Sequence, residues 1–356
     1  MFARRLEAVR QRISESRLQG LVITSLPNIR YLTGFTGSHA ILFLSKERAQ
    51  FFTDSRYRNQ APAEVREARV IITSGTLLEK FSRIISFSPN ESIGFEASSL
   101  TVAMFNNLKR IVERGKLVPT IDLIERIRAF KDEDEISKIK RAVEITDRVF
   151  NKILAILKPG MREIDIAAEI TYWHKRLGAD SDAFDVIVAS GVRGAYPHAR
   201  ASTNKIQKGE MVTIDMGCCV EGYHSDLTRT VTVGKPRPEL KKIYAVVLEA
   251  LRKSIGRVRV GIPASSLDAI ARKSIREKGY GKYFNHALGH GLGLEVHELP
   301  RVSSRSKENL TEGSVIAIEP GIYVPTLGGV RIEDDIVVRE GGIEVLSGAS
   351  RELVIV

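Results

Sequence analysis

The chain has 356 residues, of which 43% are hydrophobic, enough for two cored domains and too apolar for a disordered or fibrous protein. Its net charge of +11 is weighted to the first third of the sequence but dispersed, with no basic block and no interleaved aromatics, so nucleic-acid binding is not indicated. The two cysteines, Cys218 and Cys219, are adjacent and are read as reduced and structural, which excludes a disulfide scaffold.

The N-terminus is charged at once and lacks an apolar leader core, and no run is long enough to span a membrane, so a cytoplasmic location is expected. Phe2, Leu6, Val9 and Ile13 recur at helical spacing and predict a helix over 2–18, stopped by Gly20. Short apolar runs follow at 21–24, 40–44, 50–53, 70–73 and 92–94. They alternate with amphipathic stretches near 56–66, 76–87 and 98–114, the pattern of an α/β domain ending near Pro119. The charged run from Lys131 to Ile136 opens a long helix over 134–157, closed by Pro159-Gly160. Two domains are therefore expected, 1–128 and 129–356.

The second domain repeats itself. Gly160 with the helix to Gly178 is matched roughly a hundred residues later by Gly261 with the helix to Gly279. Gly209 through Gly217 is matched by Gly313 through Gly321 in the same way, and Asp215 falls where Glu319 falls. Each segment is followed by another strand-like stretch with a second acid, Asp226 and Glu333. Helix then antiparallel strands, used twice, predicts an α+β domain with helices on a curved antiparallel sheet and the acids projecting from one face.

The turn signal Val220-Glu221-Gly222 lies between the first two acids. A hairpin folded about residues 220 and 221 sets Asp215 directly opposite Asp226, at about 4.5–5.5 Å. Carboxylates that close repel unless a cation separates them. His290 lies in a glycine-rich stretch, Gly289-His290-Gly291-Leu292-Gly293, where the backbone can approach a buried site. Four carboxylates and one imidazole suit a pair of hard or borderline divalent ions. Arg331 shares a strand face with Glu333 and is placed to orient it. His198, His286 and His297 also fall within these stretches. The glycine-rich stretch lacks the spacing and the βαβ context of a dinucleotide site.

These residues resemble the creatinase/aminopeptidase P branch of the pita-bread metallopeptidases, which includes Xaa-Pro dipeptidases. The matching segments are Ser190 to Ala199, Asp215 to Gly234, Gly289 to Gly293, Val296-His297-Glu298, Glu319 to Tyr323 and Gly329 to Asp334. Tyr31 to Phe35 and Phe52 to Tyr57 are similar to that family's N-terminal domain. The resemblance implies a creatinase-like α/β domain followed by a pseudo-two-fold pita-bread catalytic domain. It implies one metal ion held by Asp215, Asp226 and Glu333 and a second by Asp226, His290, Glu319 and Glu333. Manganese or cobalt is expected, with zinc as an alternative. It also implies that His198 and His297 contact the substrate around the scissile carbonyl, that His286 lines the pocket, and that Glu319 carries a proton to the leaving nitrogen. Tyr323 would border the proline ring and Arg301 would receive a dipeptide's free carboxylate. The implied protein is a homodimer acting on short proline-containing peptides, as dipeptidase or aminopeptidase P. A methionine aminopeptidase and a non-catalytic peptide-binding protein on the same fold are the alternatives; the complete ligand set argues against the second and against a creatinase-type hydrolase.

Overall fold

The computed structural model describes residues 1–113 and 115–356 and divides into two units, Met1–Arg128 and Ala129–Val356. In the first unit the apolar runs become strands: β1 (Gly20–Ile23), β2 (Ala40–Ser45), β3 (Ala49–Asp54), β4 (Arg69–Thr73), β5 (Ser92–Glu96) and β6 (Lys116–Thr120). They form one sheet in the order β4-β3-β2-β1-β5-β6, antiparallel around β2 and parallel elsewhere. Every residue of β1 is buried, as befits a strand covered on both faces, which is why its sequence runs apolar rather than alternating.

Three local expectations change. The stretch 56–66 is a 3-10 turn, Ser55–Tyr57, followed by a short helix, Gln60–Glu64, because the Asp54 side chain accepts the Arg56 backbone N–H and ends β3 in a tight cap. A helix over Leu26–Thr33 and strand β6 went unpredicted, each masked by a proline. Pro27 sits in the helix's first turn, where a missing N–H leaves nothing unpaired, and Pro119 lies on the sheet's edge strand. The stretch 98–114 contains the helix Val102–Ile111, capped by Thr101; its last residue lies outside the described residues.

The second unit is built twice. Helices Glu133–Ile156 and Glu163–Arg176 serve the first half, Pro238–Ile255 and Ala264–Glu277 the second. Asp132 caps the long helix through a reciprocal box with Glu135. The first half carries β7 (Ser181–Asp182), β8 (Ile187–Ser190), β9 (Met211–Met216), β10 (Cys218–Val220), β11 (Tyr223–His224) and β12 (Leu227–Thr232). The second carries β13 (Gly289–Gly291), β14 (Glu298–Val302), β15 (Val315–Ile318), β16 (Gly321–Val324), β17 (Gly328–Arg331), β18 (Asp334–Arg339) and β19 (Gly342–Val345).

Strand alternation decides which residues meet the helices. Val212, Ile214 and Met216 pack on Phe150, Ile153, Ile166 and Ile170, leaving Thr213 and Asp215 on the other face. Ile316 and Ile318 pack with Val247, Leu251, Leu267 and Ile275, leaving Ala317 and Glu319 on the other face. Burying each such aliphatic side chain contributes about 1.5–3 kcal/mol, so the helices fix which side the acids take. The acid-bearing faces then meet. Asp226 donates its backbone N–H to Asp335 Oδ2 at 2.9 Å, Glu333 its own to the Thr228 carbonyl at 3.1 Å, and Arg331 its own to Thr230 Oγ1 at 3.1 Å.

The hairpin registers differ from the sequence expectation. Val220 pairs with Tyr223 around a two-residue turn, with Glu221 at φ 49° and Gly222 at φ 80°. Two successive positive φ values match the right-handed twist of a tight hairpin and place the turn at 221–222, one position later than expected. Asp215 consequently faces Thr228, and Asp226 lies diagonal to it on the same face. In the second half, β15 and β18 pair Ile318 with Asp334 while β16 and β17 pair Gly321 with Arg331. Both ladders keep one register, which sets Glu319 directly across from Glu333.

Candidate metal centre

Asp226, His290 and Glu333 each offer a ligand atom, and those atoms lie within 4.8 Å of one another. His290 Nε2 is 3.6 Å from Asp226 Oδ2 and 3.7 Å from Glu319 Oε1, too far for a good hydrogen bond and suited to sharing a cation. The imidazole tautomer follows from its other side. Nδ1 lies 3.1 Å from the Gly291 carbonyl, which can only accept, so Nδ1 carries the proton and the Nε2 lone pair faces the acids. Gly289 makes this approach possible, since a Cβ there would fall 1.9 Å from the Ala317 carbonyl oxygen across the strand pair.

The electrostatics of these groups call for positive charge. Burial, then the charges of Glu333, Asp215 and other acids, raises the Asp226 carboxyl well above the ordinary aspartate range. Burial and the Glu333 charge do the same to Glu319, and burial with Asp215 pushes Glu333 up to about 7. Burial, then the neighbouring His297, lowers His290 to about 4, so it is a neutral imidazole at neutral pH. Asp215 Oδ1 and Asp335 Oδ1 are buried without a hydrogen-bond partner. A divalent cation fits all of these observations: it accepts a neutral imidazole and anionic oxygens and replaces the protons that crowding otherwise forces on them.

Arg331 ties the centre together. It is fully enclosed and donates to Asp215 Oδ2 at 2.6 Å, Thr228 Oγ1 at 3.0 Å, the Tyr323 hydroxyl at 2.8 Å and the Pro197 carbonyl at 3.2 Å. Thr228 in turn donates to Glu333 Oε2 at 2.7 Å. Asp215 and Glu333 thus each have a second partner that fixes the rotamer.

The histidines divide. His297 packs its ring edge-on against His290 at 4.3 Å, and His198 is exposed yet near enough for its charge to act on both His286 and His297. His286 was expected to line the pocket. Its Nδ1 donates to the Ala287 carbonyl at 2.8 Å and its Nε2 takes the Tyr323 hydroxyl at 3.0 Å, so both nitrogens are engaged within the protein. Burial, then the Arg331 charge, lowers His286 to about 4 and keeps it neutral for that acceptor role. Tyr323 is buried, its hydroxyl held between Arg331 and His286. Arg301 is exposed on β14 and makes no hydrogen bond or ion pair among the described residues, which leaves its guanidinium available.

Sequence reasoning missed Thr228, Asp335 and Arg229. Thr228 sits two residues after Asp226, so strand alternation puts both on one face. Buried Arg229 donates to the Glu333 carbonyl and pairs with Asp334 at 2.7 Å, a contact between residues far apart in sequence that no spacing reveals.

Comparison with known proteins fits this centre. Residues 137–340 match the profile of metallopeptidase family M24, and residues 5–130 match that of the creatinase/prolidase N-terminal domain. An Xaa-Pro dipeptidase of Pyrococcus horikoshii is 39% identical over 96% of each chain. The structure of an Xaa-Pro dipeptidase from Bacillus anthracis superposes with a TM-score of 0.96 at 38% identity, covering 100% of both chains. That of an X-Pro aminopeptidase from Thermotoga maritima superposes with a TM-score of 0.86 at 36% identity, covering 96% of this chain and 99% of that one. With its creatinase-like leading domain, its pita-bread catalytic domain and its residues suited to divalent metal, the chain belongs to metallopeptidase family M24 and is a peptidase.

Proposed function

We propose that the protein is a dinuclear metal-dependent exopeptidase that hydrolyses the bond between an N-terminal residue and proline, with dipeptides as its main substrates. The observation that carries this reading is the convergence of Asp215, Asp226, His290, Glu319 and Glu333 on one buried face, in a chain similar to named Xaa-Pro dipeptidases over nearly its full length. Asp215, Asp226 and Glu333 would hold one ion, and Asp226, His290, Glu319 and Glu333 the other. Manganese or cobalt is the proposed metal. A methionine aminopeptidase reading is disfavoured by the leading domain and by these relatives, and a non-catalytic one by the full set of acids.

Bound divalent ions would supply Lewis acidity at the scissile carbonyl and acidify the attacking water. The chain's own residues do the rest. Glu319, about 20% exposed where its partners are enclosed, is the acid best placed to exchange a proton with substrate. It takes the proton from water as the new C–O bond forms, then delivers it to the proline nitrogen as the C–N bond breaks. That delivery is needed because the leaving group is a secondary amine. His198 and His297 hydrogen-bond the carbonyl oxygen as negative charge develops there. Arg331 holds Asp215 and, through Thr228, Glu333 in fixed orientation. Tyr323, locked by His286, would border the proline ring. Arg301, exposed and uncompensated, is the cation for a free carboxylate. A cytoplasmic homodimer completes the proposal.

The metal-loaded protein is to be assayed on Gly-Pro-type dipeptides and Xaa-Pro-Xaa tripeptides, with a Met-Ala-Xaa control. Dipeptides are expected to be cleaved fastest, and Arg301→Ala to raise KM for dipeptides with little change for tripeptides. Equal rates on tripeptides and dipeptides would reassign the activity to aminopeptidase P. No cleavage of any Xaa-Pro peptide would refute it.

A further inference from the structure

The segment joining β8 to β9 carries His198 and, beyond the 3-10 turn Gly191–Ala195, has no helix or strand of its own through residue 204. Within it Arg193 Nη2 donates to the Arg200 carbonyl at 2.6 Å and the Ala199 N–H to the Tyr196 carbonyl at 3.2 Å, but its histidine must also meet substrate at a fixed place relative to the rest of the domain. One carboxylate ties its two ends. Glu163 opens the helix Glu163–Arg176 and its side chain is fully buried. It accepts the Ser190 backbone N–H at 2.8 Å and hydroxyl at 3.0 Å, from the start of the segment. It also accepts the Ser202 backbone N–H at 3.2 Å and hydroxyl at 2.8 Å, from the end. Arg193, within the segment, donates from Nε at 2.9 Å, and Asn204 links the same group to Ser190 Oγ.

The middle of the segment is fixed separately. Gly194 lies backbone to backbone against Gly329, where a Cβ on Gly329 would fall 2.0 Å from the Gly194 carbonyl oxygen. Arg331 reaches the Pro197 carbonyl, one residue before His198. A buried carboxylate is costly to desolvate and is offset only by several charge-assisted bonds, so its presence away from the acid cluster asks for a reason. The second half repeats the device. Asp268, fully buried on the helix Ala264–Glu277, pairs with Arg272 through both oxygens and accepts the Leu288 N–H at 3.1 Å. Arg272 then grips the carbonyls of Phe284 and His286. Each half thus uses a helix carboxylate and an arginine to hold its histidine-bearing segment.

We propose that Glu163 is the positioning residue for His198: by closing residues 190–204 into a loop of one shape, it sets where the imidazole meets the peptide substrate. This rests on the substrate role given above to His198. The test is a double-mutant cycle on manganese-loaded, full-length protein with an alanyl-proline dipeptide, comparing wild type, Glu163→Gln, His198→Ala and the double variant. Gln keeps the size of the side chain but turns one acceptor into a donor facing other donors. Each single change is expected to lower kcat/KM at least about tenfold, as sub-ångström to ångström misplacement does. Bound metal should stay unchanged, and the double variant should be no slower than His198→Ala alone. Ser202→Ala, which removes one donor from the segment's far end, should give a smaller loss that also vanishes in the His198→Ala background, so the test survives if Glu163→Gln fails to fold. Losses that multiply in the double variant, or bound metal falling with activity, would overturn the proposal and make Glu163 a general structural residue. Wild type that cleaves no Xaa-Pro peptide, or His198→Ala as fast as wild type, would overturn the underlying reading and this proposal with it.

Discussion

Asp226→Ala is expected to lower peptidase activity by about 10³-fold or more and to strip bound metal from the protein. A metal's charge stabilisation in the transition state is worth several kcal/mol, and each 1.36 kcal/mol is tenfold in rate. Asp226 is the acid on which the site converges: its carboxyl faces His290 at 3.6 Å and feels the charges of Glu333, Asp215, Asp335 and Glu319. The same crowding gives a second, oppositely signed expectation. Without metal, the alanine variant should melt at a higher temperature than the metal-free wild type, because one of several mutually repelling buried acids is gone. Its backbone N–H to Asp335 survives the change. Metal content after dialysis, kcat and the two melting temperatures check this. An inactive variant that retains full metal would rule out a bridging role.

Glu319→Gln should separate metal binding from proton transfer. The amide keeps an oxygen toward His290, and the backbone bond to the Leu288 carbonyl at 2.8 Å is untouched, so most of the metal should remain. The amide has no basic oxygen to take a proton from water or return one to proline. A positioned acid–base group contributes about 10²–10⁴-fold, and that is the loss expected in kcat. A glutamine variant with near wild-type turnover would remove Glu319 from the proton path and leave it a ligand alone.

The duplicated hairpins were legible because they obey rules of period two. Apolar residues at Ile214 and Met216, and again at Ile316 and Ile318, fix which face Asp215 and Glu319 take. Their geometry was less legible. The sequence suggested that the short hairpin sets Asp215 and Asp226 face to face. In the structure a turn at Glu221–Gly222 shifts Asp226 to a diagonal, and it is the second hairpin, with a continuous register past Pro320, that sets Glu319 across from Glu333. Turn position is decided by two backbone angles, and a sequence narrows those only to the nearest glycine. The supporting residues were least legible. Thr228, Arg229, Asp335 and Glu163 act through partners about thirty to over a hundred residues away, and local spacing carries no record of such contacts. His286 was read from its motif as lining the pocket; only its neighbours Ala287 and Tyr323 reveal that both nitrogens are taken.

The proposed function requires that this duplicated acid face hold two metal ions. It is tested most directly by titrating the metal-free protein with manganese while following proline release from a Gly-Pro-type dipeptide. No release is expected without metal, and activity should rise to a plateau at two ions per chain. Proline release that persists in the metal-free protein, or none at any metal level, would contradict it.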